Sequence, residues 1–291
     1  MFKSKIRKAA VAAILSLGAV SAAQAGFTLS AGNFKFLIDN FDVGNVGYPA
    51  APAGVKCSSA AACDAISTGA NGAGSFDTVG IFSVSAITDK NNAVIYSAGQ
   101  GGTFYTGIFG GLSDIYVESS GLFGNYTVGT LSSGGFFRLY ENAANYNPSL
   151  GPLGVGVDLI TGLYPGITGG SLYLEGNFVN GAALAGNTDA SYVSQYNSGT
   201  FAGQGQGFLD VTGGTAFAQF NSNSLTDANG GKRDLFLDVT FNDANGAASS
   251  LGWTVRSSGG VGGQAVPEPG SLALLSLGLL AAGAAVRRRS K

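Results

Sequence analysis

Short apolar alternation, broken repeatedly by glycine, is the feature that most constrains this chain. Leu153, Val155, Val157 and Leu159 occupy alternate positions, with glycine or aspartate between them. Leu235, Leu237, Val239 and Phe241 repeat the pattern, with Asp238 and Thr240 on the opposite parity. Successive side chains of a strand point to opposite faces, so a period of two puts each apolar set on one face and leaves the other to water. Comparable runs occur near residues 33–38, 79–88, 93–97, 102–109, 114–118, 124–131, 135–140, 171–179, 206–212, 215–220 and 251–256. Clusters of Gly, Asn, Asp and Ser separate them, and such punctuation joins antiparallel strands through turns. The pattern predicts an all-β body, a single antiparallel β-sandwich-like domain over residues 26–256. Helix is expected there only as a turn or two, near 59–66 and 189–196. Glycine supplies 48 of 291 residues but with no fixed short period, which argues against a solenoid.

Composition supports a packed core. Hydrophobic residues make up 45% of the chain and charged residues only 11%, the reverse of a disordered chain. Histidine is absent, which excludes a Ser-His-Asp triad, an imidazole metal site and a histidine base.

The N-terminus carries Lys3, Lys5, Arg7 and Lys8, then an apolar stretch from Ala9 to Val20, then Ala23-Gln24-Ala25. This order of cations, apolar helix and small residues is that of a secretory signal peptide. Cleavage by signal peptidase is expected after Ala25, with Ala23 and Ala25 as the recognised small residues and 1–25 removed.

The C-terminus inverts that order. Val266-Pro267-Glu268-Pro269-Gly270 precedes a Leu/Ala/Gly stretch reaching Val286, and Arg287, Arg288, Arg289 and Lys291 follow. Residues 270–286 make about 25 Å of helix, the short end of what spans a bilayer. Prolines 267 and 269 keep the preceding peptide extended and outside that helix. The arginines act as a basic stop that holds the end in the cytoplasm, so the body faces outward. Residues 257–265, rich in Gly and Ser, read as a flexible tether between body and tail.

Residues 266–291 closely resemble the PEP-CTERM sorting signal, with Pro267, Glu268 and Pro269 as signature and Arg287, Arg288 and Arg289 as basic end. The resemblance implies export by a Gram-negative bacterium and recognition of the tail by the membrane protease exosortase. It further implies a transient inner-membrane anchor, then release to the outer surface or an exopolysaccharide and biofilm matrix. It covers about a tenth of the chain and assigns no activity to the body.

Charge narrows the body's partners. Outside the two ends the chain keeps seven of its fifteen cations and sixteen of its seventeen acids, a net charge of −9. Nucleic-acid binding needs a basic patch and is disfavoured. Extracellular polysaccharide suits such a surface better.

Four further groups of residues invite a chemical reading. Cys57 and Cys63, the only cysteines, are expected to form a disulfide after export, since their spacing is not that of a redox pair. Asp-Ala-Asn-Gly occurs at 227–230 and again at 243–246. Asp227, Asn229, Asp243 and Asn245 could supply calcium oxygens, but the EF-hand order fails and Asn-Gly between strands is a hairpin signal, so hairpin turns and no metal are expected. Tyrosines such as Tyr116, Tyr140, Tyr146, Tyr192 and Tyr196 could stack on sugars or simply pack in strands. A glycosidase needs two carboxylates about 5–9 Å apart, and Glu118, Glu141 and Glu175 read as surface residues at strand edges. The leading expectation is a non-enzymatic surface or matrix protein without a cofactor. A carbohydrate-binding module, calcium-assisted or not, is the alternative, and an acid-pair glycosidase the third reading.

Overall fold

Burial alternates without a break along β1 (Gly32–Val43): Phe34, Phe36, Ile38, Asn40 and Asp42 are buried, and the residues between them are turned the other way. The same logic organises the rest of the chain. The computed structural model describes residues 32–266 apart from 44–54, 57–77, 119–125, 152–163, 165, 185, 198, 199, 201, 245 and 246. The strands that follow are β2 (Val55–Lys56), β3 (Thr78–Thr88), β4 (Val94–Ser97), β5 (Phe104–Glu118) and β6 (Val128–Asn142). Next come β7 (Ser171–Val179), β8 (Ala182–Leu184), β9 (Asn187–Ala190), β10 (Tyr192–Tyr196) and β11 (Gly203–Gly213). The last are β12 (Leu225–Thr226), β13 (Lys232–Arg233), β14 (Leu235–Asp243) and β15 (Val255–Ala265).

The main sheet closes on itself. β1, β3, β5 and β6 pair in succession; β6 pairs with β7 and β10; both pair with β11; then β14 and β15 follow, and β15 returns to β1. Every one of these pairings is antiparallel. β7 and β10 share one stave in series, β7 against Phe136–Glu141 and β10 against Val128–Ser132, with the β8–β9 hairpin looped out between them. The result is an eight-staved antiparallel barrel. The all-β, antiparallel expectation holds, but the architecture is one closed sheet instead of a sandwich. A sandwich leaves strand edges open, whereas here each stave is paired on both sides.

β15 is the main correction to the sequence reading. The segment 257–265, read as a tether, is paired in register with β1 from Gly32↔Ala265 to Asp42↔Val255 and with β14 from Leu235↔Gly263 to Asp243↔Val255. Its glycines are explained by crowding. A Cβ on Gly263 would stand 2.7 Å from the Asp234 carbonyl oxygen and 2.9 Å from Leu235 Cδ2, and one on Gly260 would meet the aliphatic stem of Lys35. Glycine here admits neighbouring backbone and side chains, at the usual entropic cost of glycine in a strand.

Two long strands also replace broken runs. β5 and β6 each continue through a Gly-Gly pair, Gly110-Gly111 and Gly134-Gly135, with Leu112 opposite Gly134. Gly111, Gly134 and Gly135 have positive φ (74°, 75° and 100°), and the inward parity changes there, from Phe109 to Leu112 and from Ser132 to Phe137. At Gly111 a bulge against β3 re-aims β5 without ending it. Elsewhere, Asp189–Tyr196 forms strand, not helix, and α1 (Phe217–Phe220) is a helical turn where a strand run was read at 215–220. The run at 251–256 becomes strand only from Val255. Runs 153–159 and 59–66 lie outside the described residues, as do the signal peptide and the tail beyond Val266.

α1 plugs one end of the barrel. Phe220 is fully buried and meets Phe34 edge-on at 5.0 Å, Phe36 at 5.5 Å and Tyr173 at 6.1 Å. Gln219 accepts a hydrogen bond from the Val266 N–H at 2.9 Å, tying the end of the described chain to this plug. Two clusters pack on the barrel's outside. Trp253, Tyr164 and Ile167 cover Ile81 and Ile108, with Trp253 Nε1 donating to the Pro148 carbonyl at 2.7 Å; Ala182 and Ala190 cover Leu131 and Val193. On β1, β14 and β15, Lys35, Asp238, Thr240, Arg256 and Ser258 are exposed.

The packing at Gly263 makes a test. Gly263→Ala should destabilise the protein by about 1–3 kcal/mol in denaturant melts, because backbone and Leu235 must yield. In a tether the same change would be neutral or slightly stabilising through the unfolded state.

Candidate functional site

Opposite the Phe220 plug, the inward side chains of the barrel become smaller and more polar, and the space they leave is a cavity of about 190 Å³. Its apolar wall includes Phe36, Ile38, Phe109, Leu139 and Val239; its polar part comprises Asn40, Asp42, Asp114, Ser132, Tyr192 and Ser257, among others. Glycine makes room for it. Gly203, Gly205 and Gly207 take three successive inward positions of β11. The rings of Phe241 and Tyr192 lie against the first two: a Cβ on Gly203 would stand 2.6 Å from Phe241 Cζ, and one on Gly205 would collide with the Tyr192 hydroxyl.

Asp42 is the group whose chemistry stands out. Its Oδ2 accepts from Asn40 Nδ2 at 3.0 Å, and the Ser257 side chain gives it a second hydrogen bond. Its backbone carbonyl accepts from Thr254 N and Oγ1, at 3.0 and 3.2 Å. Burial raises the carboxyl to about 7, against the lowering effect of the hydrogen bonds from Asn40 and Ser257. Across the cavity lining, Asp114 Oδ1 accepts from Ser132 Oγ at 2.7 Å, and the Thr130 and Ser194 hydroxyls lie 2.6 Å apart. Burial pushes the Tyr192 phenol up, and the charges of Asp42 and Asp114 push it further, which places all three groups in one field. Among the described residues lining the cavity there is no lysine or arginine.

The residues singled out in the sequence fall in several places. Tyr192 and Tyr196 share the inward face of β10 and line the cavity. Tyr140 and Tyr146 pack into the outer cluster around Trp253, with Tyr146 stacked on Phe41 at 5.9 Å, and Tyr116 packs beside Leu131. Asp227–Gly230 forms the turn between β12 and β13. Asp227 Oδ1 accepts from the N–H groups of Asn229 and Gly231 at 2.8 and 2.7 Å, and Oδ2 accepts from Arg233 Nε at 2.7 Å. Both oxygens are thus committed within the protein. Asp243 is the last residue of β14 and is exposed. Glu175 forms an ion pair with Arg138 at 3.6 Å and Glu141 lies in β6 opposite Tyr105. Cys57, Cys63, Asn245, Ala23, Ala25, the Pro267–Pro269 motif and Arg287–Arg289 lie outside the described residues.

Asp42 and Asp114 were not singled out in the sequence. A signal was available for Asp42: the alternation Phe34, Phe36, Ile38 runs on in parity to Asn40 and Asp42. For Asp114 the parity change at Gly111 hid it.

The raised carboxyl gives a pH signature. The folded chain holds the Asp42 proton up to about pH 7, whereas the unfolded chain releases it near 3.8. The native state therefore binds more protons in that window, and this contribution to stability is full below 3.8, falls as pH rises to 7 and stays lost above it. Asp42→Asn should remove that slope and raise stability at alkaline pH by a few kcal/mol, about 4 at most. Urea melts across the window test it; parallel curves for parent and variant would contradict it.

Comparison with known proteins touches only the end of the chain. Residues 265–289 match the PEP-CTERM protein-sorting motif. No curated protein and no solved structure matches the chain. The motif marks an exported protein sorted through the membrane and processed by exosortase, a membrane protease. Its first residue, Ala265, is the last residue of β15. Among the described residues no helix is long and apolar enough to cross a membrane, which leaves the expected span at 270–286 outside what is described.

Proposed function

We propose that this chain is a non-enzymatic surface or matrix protein: a barrel exported through the inner membrane, held there briefly by its tail and released when exosortase cuts near Pro267-Glu268-Pro269. The observation that carries this reading is the junction of sorting motif and barrel. Ala265 closes the barrel, and Pro267 follows two residues later, within about 7 Å of chain. Gly32, the first residue of β1, is paired with Ala265, so both chain ends leave the barrel beside the Phe220 plug. While the tail is anchored, the plugged end faces the membrane and the polar end of the cavity faces away from it. The acidic, Asn- and Gly-rich body suits a hydrated polysaccharide matrix containing divalent cations.

Two competing readings find less support. A sugar platform needs exposed rings, whereas Tyr196 is buried and Tyr192, Tyr140 and Tyr146 are half-buried in packing. Asp42 and Asp114 do supply two buried carboxylates. Yet polymer hydrolysis needs sugar on both sides of the cut bond, and a 190 Å³ chamber walled mainly by apolar side chains favours a single small guest.

The experiment is mass spectrometry of the C-terminus of protein recovered from the cell surface and medium. Wild-type protein should lack Leu272–Lys291, while replacing Pro267-Glu268-Pro269 with three alanines should leave full-length chain in the inner membrane. Surface protein that still ends in Arg287–Lys291 would contradict the reading.

A further inference from the structure

We propose that the barrel cavity binds a small organic ammonium ion, a protonated amine whose charge pairs with the Asp42 carboxylate and whose apolar body fills the ring-lined space beside it. Three features converge on this class of ligand. The first is size. At about 190 Å³ the cavity lies between the roughly 150 Å³ that holds one benzene and the roughly 300 Å³ at which drug-sized sites begin. One ring with a short chain fits; a disaccharide does not.

The second is the lining. Phe36, Phe82, Phe109, Phe137, Tyr192 and Tyr196 all contribute rings to one chamber. Such rings reward burial of an apolar body, and their faces attract a cation. Tyr196 and Phe241 lie 6.2 Å apart, and Phe178 meets the Tyr192 ring edge-on at 6.1 Å, so the walls hold one another in place.

The third is charge. Asp42 is buried among neutral donors, Asn40 and Ser257, and no described lining residue is cationic. Burying an isolated carboxylate is costly, and a cation arriving with its own hydrogen-bond donors removes that cost. Asp114 adds negative charge to the same lining. An anionic ligand would meet two carboxylates, and a neutral one would leave Asp42 as it was. The amine alone is complementary to both the rings and the acid.

Calorimetric titration of the exported protein, purified from the cells that make it, tests this at about pH 8, where Asp42 is ionised and an aliphatic amine protonated. The probes are phenethylamine, ethylbenzene, phenylacetate and glucose. Phenethylamine should bind once per chain, at least about tenfold tighter than ethylbenzene or phenylacetate. Asp42→Asn should erase that preference while leaving ethylbenzene affinity within about twofold, which separates loss of charge from loss of fold. Ile38→Trp, which fills the chamber, should abolish binding of phenethylamine and ethylbenzene alike. The proposal is overturned if phenylacetate binds as well as the amine, if Asp42→Asn leaves the preference intact, if glucose binds and the amine does not, or if no probe binds at about 1 mM.

Discussion

The pairing of β15 with β1 on one side and β14 on the other is the constraint on which the rest of the molecule depends. Its β1 side joins residues more than two hundred positions apart and turns a long antiparallel sheet into a ring. Without it both the first strand and β14 would offer an unpaired edge, and the inward side chains of Phe34, Phe36 and Ile38 would lose their opposite wall. With it, the sheet encloses a chamber whose plugged end is apolar and whose other end holds Asp42. Contacts so distant in sequence are costly to close and form late. The barrel is therefore complete only once its last strand is in place, and the sorting motif begins on that strand's final residue.

Glycine, which sets the composition apart, serves this geometry in two ways. On β15 it lets neighbouring strands and the Lys35 stem approach closely; on β11 it yields the inward space that Tyr192 and Phe241 partly cover and the cavity occupies. Aromatic rings laid over inward glycines keep the strand covered without filling the barrel. An eight-stave barrel is just wide enough either to fill with side chains or to hold one small ligand. The run of glycines at 203, 205 and 207 is what moves this barrel toward the second outcome.

Much of this was legible in the sequence, and the failures are instructive. Alternation placed β1, β3, β4, β7, β11 and β14 near their observed positions, because one parity of each is turned to a dry interior. It split β5 and β6 near Gly110-Gly111 and Gly134-Gly135, since the inward parity changes there while the strand continues. Ser257–Gln264 resembled a linker because composition alone cannot distinguish glycine that is flexible from glycine that is crowded. The choice between sandwich and barrel depended on that one strand. The cavity's acids were harder still: Asp42 belongs to a site only once β15 brings Ser257 beside it.

Hydrogen exchange across residues 257–265 of the exported protein tests the closed barrel most directly. If β15 closes the ring, N–H groups in this segment bonded to the flanking strands should exchange only through global unfolding, with protection equal to that of β1 and β14 and lost together with theirs in denaturant. Exchange of the whole segment at the rate of an unstructured Gly/Ser peptide, with β1 and β14 still protected, would contradict the account.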